Sequence, residues 1–441
     1  MQYTIKKLFD FLFSGTTLRR WNGLIHPVEL TEVDRQGHKM MIAWFLYMLE
    51  RPTYTDEESL NVYIEIVEGA FFTYCLNLAL TDIKPSIYEQ ICKNKEHHRA
   101  ILSWAFERFL PLLDHISPSL AQRAEEYLLS QHKVTKARTI LKAASLYSRF
   151  WEYQLLRDAN AFLHTDATIF RSLSDDIELQ CEELPSFKQI LSPFYTSLPF
   201  HTTGLRRIAS LCGTLRFQQR WSQIVRLPKT NVLGHTFLVS VYSYIFSLLI
   251  ESCPMRIANT FFGSLFHDLP ELVTQDIVNP VKHSSSSVAR IIQEYEHQEV
   301  AHTIILPLKN EHPNLAEGLQ YLLGYDVSSE FDNTIIDNGV IRTVSFYDLQ
   351  NKYNTTQYSP KDGTLIKLCD NISALIEAHT SIIQGVHPPE LIEARKRILQ
   401  SIQEYSFCKK VEDEKSSQLF IASVGNPVHS LIECITNEAS L

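Results

Sequence analysis

Apolar residues recur at i, i+3 and i+4 along most of the chain, in runs of helical length such as 40-MMIAWFLYMLE-50 and 120-LAQRAEEYLLSQ-131. Prolines and turn formers fall between these runs, and the stretch 191-LSPFYTSLPFHTTG-204 marks a boundary between two halves. A strand-like pattern occurs only at 338-NGVIRTVSFYDL-349, inside a polar segment spanning residues 326–363. The pattern predicts a mainly all-α fold with one hairpin, and it marks 326–363 as an insertion or lid. The opening MQYTIKKLFDFLFSG lacks a long apolar core and a small-residue cleavage site, so it reads as a helix and not a signal peptide. The most apolar run, 236-TFLVSVYSYIFSLLI-250, falls short of the ~20 residues a membrane span needs. It starts beside His235 and reads as a buried core helix, so no membrane partner is expected.

The halves resemble each other. The segment 15-GTTLRRWNGL-24 is similar to 213-GTLRFQQRWSQI-224, and each precedes a lone histidine near the start of an apolar helix, His38 and His235. Next, 71-FFTYCLNLALTDIKP-85 is similar to 261-FFGSLFHDLPELVTQDIVNP-280, and 140-ILKAASLYSRFWE-152 to 365-LIKLCDNISALIE-377. Three matches in one order favour an ancient duplication. The comparison separates the halves chemically. Where the second half carries His267-Asp268 the first carries Leu76-Asn77, and where the second carries Asp370 the first carries Ser145. One remaining histidine cannot hold a catalytic ion, so the first half is expected to be inactive scaffold.

Charge and composition narrow the function. A formal net charge of −9 disfavours a nucleic-acid groove, which needs a clustered basic footprint, but allows a small phosphorylated substrate. The eight cysteines stand singly, without a CxxC pair, and read as reduced thiols of a cytoplasmic protein. Oligomeric state is not legible, and a homodimer stays open.

In the second half His235, His267, Asp268 and Asp370 each lie in or at the end of an apolar helix. An ionised carboxylate there needs a cation or donor to offset desolvation. Two imidazoles with two carboxylates suit one divalent transition metal, Mn, Fe, Co, Ni or Zn, over Ca. The adjacent His267 and Asp268 can share an ion only near a helix end or bundle seam. Glu271 follows one turn later, and Asp276, Asn279 and Lys282 fall in a turn-like segment ended by Pro280. Pro270 lacks an N–H, so the helix must stop or restart near His267.

These residues resemble the HD-domain superfamily of metal-dependent phosphohydrolases, and more closely its 5'-deoxynucleotidase branch. The likeness rests on Arg220-Trp221, His235 in NVLGHT, the string HDLPELVTQDIVNPVK, and IKLCDNISALIEAHTSIIQG around Asp370. It implies a helical-bundle fold in which His235, His267, Asp268 and Asp370 hold the metal, which activates a water for attack on phosphorus. It further implies Glu271 as general acid/base, Arg220 on the phosphate, and Trp221, Asp276 and Asn279 around the sugar or base. Lys282 would neutralise phosphate charge or pin its loop. Gly234 departs from the polar residue usual before the first histidine. The expected organisation is a degenerate HD-like domain over 1–195, an active HD domain over 205–390 with the 326–363 insertion, and a helical extension over 391–441. The expected activity is release of phosphate from (deoxy)nucleoside 5'-monophosphates. Alternatives are hydrolysis of a deoxynucleoside triphosphate or signalling nucleotide, and a non-catalytic metal- or nucleotide-sensing regulator. Leu272 after Glu271 breaks the HDxxED pattern of guanosine-tetraphosphate hydrolases.

Overall fold

A computed structural model describes residues 2–83, 85–130, 133–191, 204–274, 286–406 and 426–438. Among the described residues the fold is all-α apart from one two-stranded hairpin. Eight helices place the site: α1 (Gln2–Phe13), α2 (Glu32–Glu50), α3 (Asp56–Leu80), α4 (Lys136–Asn160), α5 (Val232–Leu249), α6 (Pro254–Phe266), α7 (Glu271–Thr274) and α8 (Gly363–Ile383). Their starts follow from capping. Thr31, Thr55 and Thr135 accept the backbone N–H three residues on at α2, α3 and α4, and Asp362 accepts that of Leu365 at α8. Glu32 and Asp34 add negative charge to the first turn of α2, where the helix dipole favours it.

α2 and α5 lie against each other at the centre, and two glycines let them approach. A Cβ on Gly37 would come within 2.7 Å of the Leu233 carbonyl oxygen, and one on Gly234 within 2.7 Å of Val33. This contact gives Gly234, unusual beside the first histidine, a packing reason. One apolar core runs through both halves. Trp44 meets Phe266 at 5.1 Å between ring centroids, Tyr63 stacks on Phe262 at 5.2 Å, Tyr74 meets Phe237 at 4.9 Å, and Phe9 of α1 stacks on Tyr242 at 4.4 Å. Helices α3 and α5 are long and apolar enough to cross a membrane, yet 72% and 89% of their apolar windows are buried inside this core. Among the described residues, Cys75, Cys181, Cys212, Cys253 and Cys369 are free thiols. A helix at Asn426–Glu438 packs on α1.

The expected hairpin is present, and its bounds differ from those of the strand-like stretch. Its strands are β1 (Thr334–Asp337) and β2 (Val340–Thr343), paired antiparallel, while residues 346–349 of the supposed strand segment belong to a helix, Phe346–Asn351. Asn338 and Gly339 both take positive φ, 50° and 76°, which makes a two-residue loop whose twist suits a hairpin. The Asn-Gly pair was therefore the turn between two strands, not the start of one. Ser345 accepts the Asp348 N–H and starts the helix that replaces the rest. The 326–363 segment is tied to the bundle. Arg256 of α6 pairs with Asp362 at 2.5 Å, Asn259 donates to the Ser359 carbonyl, and the buried Lys361 donates to the carbonyls of Leu322 and Glu330.

Candidate metal centre

α6 ends at Phe266, and the chain turns at once. The Leu269 N–H bonds the Phe266 carbonyl, and the Glu271 N–H bonds that of Asp268, before α7 begins at Glu271. Pro270 thus breaks the helix where its missing N–H requires. At such an end the adjacent His267 and Asp268 can face one point. His235, one turn into α5, comes to the same point, and His235, His267 and Asp268 place a ligand atom each within 4.8 Å of one another. Asp370 of α8 approaches this cluster through His235, with its Oδ1 at 3.1 Å from His235 Nε2. Asp268 Oδ2 lies 3.3 Å from His267 Nε2 and 3.9 Å from His235 Nε2.

The donor set fits a divalent cation. His267 Nδ1 donates to the Ser264 carbonyl at 2.6 Å, which leaves the lone pair on Nε2; that atom is buried and makes no hydrogen bond. His235 turns Nδ1 to Ser373 Oγ at 3.1 Å, so its Nε2 also faces the cluster. Two imidazoles, each held by a hydrogen bond at Nδ1, together with the nearby carboxylates, match the preference of a transition-metal ion for mixed N and O ligands.

Fixed charges surround the cluster. Arg220 Nε lies 3.4 Å from Glu377, and Nη1 lies 3.7 Å from Asp268. Glu377 is fully buried; its carboxylate accepts the Trp221 indole N–H at 2.7 Å and the Thr230 hydroxyl at 2.8 Å. Burial favours its neutral acid, but Arg220, Arg226 and His235 outweigh it and hold the pKa well below the usual range. For Asp370, burial is likewise overcome, by Lys367 and His235. Lys367 Nζ sits 3.0 Å from Asp370 Oδ2. Glu271 is buried, and its carbonyl accepts the Gln218 amide at 2.8 Å. Asp276, Asn279 and Lys282 lie outside the described residues.

The first half repeats the loop but not the ligands. Bridges pair Arg19 with Thr31 and Gln219 with Asn231, and Trp21 and Trp221 share a positive φ of 64° and 59°. Trp21 donates to Glu152 as Trp221 does to Glu377. This register corrects the pairing of histidines: Arg35, not His38, stands where His235 stands. Arg35 donates twice to Glu152 Oε2, at 2.9 and 2.6 Å, so a covalently attached cation occupies the place of a ligand. His38 lies one turn further along. It packs edge-on against Tyr147 and Trp151, and Nε2 bonds the Ala209 carbonyl at 3.0 Å. Burial and the nearby Arg216 push its pKa down to about 3, so it is a neutral core residue, as a lone histidine on an apolar face suggests. Counted from the Phe-Phe pairs at 71–72 and 261–262, Asn77 stands opposite His267 and Leu78 opposite Asp268, one place on from the expected pairing; Asn77 donates to Glu32, which also holds Arg20.

Four nearby residues were not singled out in the sequence. Lys367, Ser373 and Glu377 lie on the same helix as Asp370, at spacings of three, three and seven residues that a helical projection recovers. Phe331, whose ring is 6.2 Å from that of His267, comes from the polar segment and carries no such signal.

A helical seam with an H…HD…D cluster defines a class. Residues 212–399 match the model of the HD domain family. Two relatives are informative. A 5'-deoxynucleotidase of Pasteurella multocida is 21% identical over 223 residues, covering 49% of this chain and 93% of that protein. A dATP triphosphohydrolase of an Acinetobacter phage is 40% identical over 73 residues, 14% of this chain and 36% of that protein. A solved HD-domain phosphohydrolase from Listeria innocua aligns with 54% of this chain and 98% of its own, at 15% identity and a TM-score of 0.36.

Proposed function

We propose that the protein is a divalent-metal phosphomonoesterase acting on (deoxy)nucleoside 5'-monophosphates. The observation that carries this reading is the convergence of His235, His267, Asp268 and Asp370 beside the Arg220 guanidinium. A divalent ion bound there, such as Mn, Co, Fe, Ni or Zn, supplies Lewis-acid stabilisation of phosphoryl charge and a nucleophilic water at neutral pH. Arg220 orients the phosphate through its planar fork of donors. Glu271 gives a proton to the departing 5'-oxygen and regains one from water. Glu377 holds Arg220 and Trp221 in place, and Trp221 borders the sugar or base. Asp276, Asn279 and Lys282 join the substrate side by their place in the sequence.

The length over which the chain matches a 5'-deoxynucleotidase supports a monophosphate. The shorter, more identical match to a dATP triphosphohydrolase favours a second reading, in which a deoxynucleoside triphosphate is cleaved. Among the described residues, Arg220 and Lys367 are the lysine and arginine side chains within ion-pair distance of the candidate ligands. That supply suits a dianionic monophosphate better than a triphosphate. The test is a panel of ribo- and deoxynucleoside mono- and triphosphates offered to Mn- or Co-loaded protein. Inorganic phosphate from the monophosphates is expected. Tripolyphosphate from deoxynucleoside triphosphates would move the assignment to the second reading, and no turnover at all would sink both.

A further inference from the structure

Lys367 enters the proposed function only as part of the local positive charge, yet it is built into the site. It lies one helical turn before Asp370 on α8, and its Nζ contacts the carboxylate oxygen that Asp370 turns away from His235. Its Nζ also lies 4.4 Å from the centroid of the Phe331 ring, which itself borders His267. The long side chain is therefore held at both the metal cluster and the 326–363 segment. At 35% exposure it is the most solvent-accessible of the charged side chains in this group, against 18% for Asp370, 19% for Asp268 and 16% for Arg220. Two other nearby cations are committed elsewhere: Arg226 to the Pro228 carbonyl and Thr230, and Lys361 to backbone carbonyls.

A divalent cation drawing on Asp370 competes with Lys367 for the same carboxylate. As the ion takes up the negative charge, the ammonium loses its partner and needs another anion. We propose that Lys367 is a phosphate ligand held in reserve: it neutralises Asp370 when the metal is absent and binds substrate phosphate, alongside Arg220, when the metal is present. This rests on the phosphohydrolase reading, which supplies the phosphate.

The test uses full-length protein with Lys367→Met and Lys367→Arg. Stripped protein is titrated with Co(II) and followed by its visible absorbance, and the Co-loaded form is then titrated with inorganic phosphate. Lys367→Met should bind Co(II) tighter than wild type. It should bind phosphate about ten- to hundredfold more weakly, the range of one charge-assisted hydrogen bond. Lys367→Arg should restore most of the phosphate affinity. Unchanged phosphate affinity in Lys367→Met, or weaker Co(II) binding, would overturn the proposal. If both titrations behave as expected while wild type turns over no nucleotide, Lys367 keeps its role and the reaction assignment falls instead.

Discussion

At the scale of single residues the site depends on buried charges that satisfy one another. Glu377 is the hub, since Trp221, Thr230, Arg220 and His235 all address its two oxygens. Glu377→Gln removes the anion and leaves Arg220 partly buried without it. Unfolding in denaturant should show a loss of about 3 kcal/mol, with weaker phosphate binding. His38 gives a pH prediction of known sign. Its folded pKa of about 3 lies below the ordinary value of 6.5, so between these values the unfolded chain binds a proton that the folded chain refuses. Its contribution is therefore intact above pH 6.5 and is lost as pH falls, by at most about 1.4 kcal/mol per pH unit. A His38→Gln variant should show a shallower fall in stability between pH 6.5 and 5 than wild type. An identical slope would show that His38 titrates normally.

At the scale of elements, the interruption between α6 and α7 sets the doublet at a helix end and starts α7 at Glu271. Pro270→Ala restores the missing N–H and lets the two helices join, turning Glu271 away from the cluster. We expect kcat to fall at least about tenfold with Co(II) affinity nearly kept, because His267 precedes the change. Equal kcat in both proteins would show that the break is incidental. Much of this was legible beforehand: HDLPE signalled a helix end, and the apolar runs around His235 and Asp370 signalled the helices that deliver them. What was not legible depends on register and tertiary contact. A lone histidine near a helix start matched His38 to His235, whereas the Arg20-Trp21 and Arg220-Trp221 pairs share with the bridges at Arg19–Thr31 and Gln219–Asn231 one register that puts Arg35 there instead. Asn338-Gly339 was read as part of a strand, and pairing partners decide which residues turn. Phe331 reaches His267 from a segment with no periodicity, so no pattern could announce it.

At the scale of the whole molecule, the half without the ligands contributes packing and fixed charge. α2 lies against the helix that carries His235, and Arg216 reaches back from the second half to Glu152 at 2.9 Å, both side chains fully buried. Glu152 is held down to about 2 by Arg35 and Arg216 against the effect of burial, so this link stays charged at neutral pH. Gly234→Val would force its side chain into Val33 and separate the two helices. It should cost about 1–3 kcal/mol or more and weaken Co(II) binding, read from denaturation and metal titration together. A stable variant with unchanged metal affinity would show that the half-to-half contact does not set the site. The central claim is that His235, His267, Asp268 and Asp370 hold a cation used in phosphate release. The most direct measurement is the initial rate of phosphate release from deoxynucleoside 5'-monophosphates by Co-loaded protein, compared with Asp268→Ala under the same loading. The account predicts steady release by wild type and background release, with loss of bound Co(II), in the variant. Equal rates in the two proteins, or no release by wild type that holds stoichiometric metal, would contradict it.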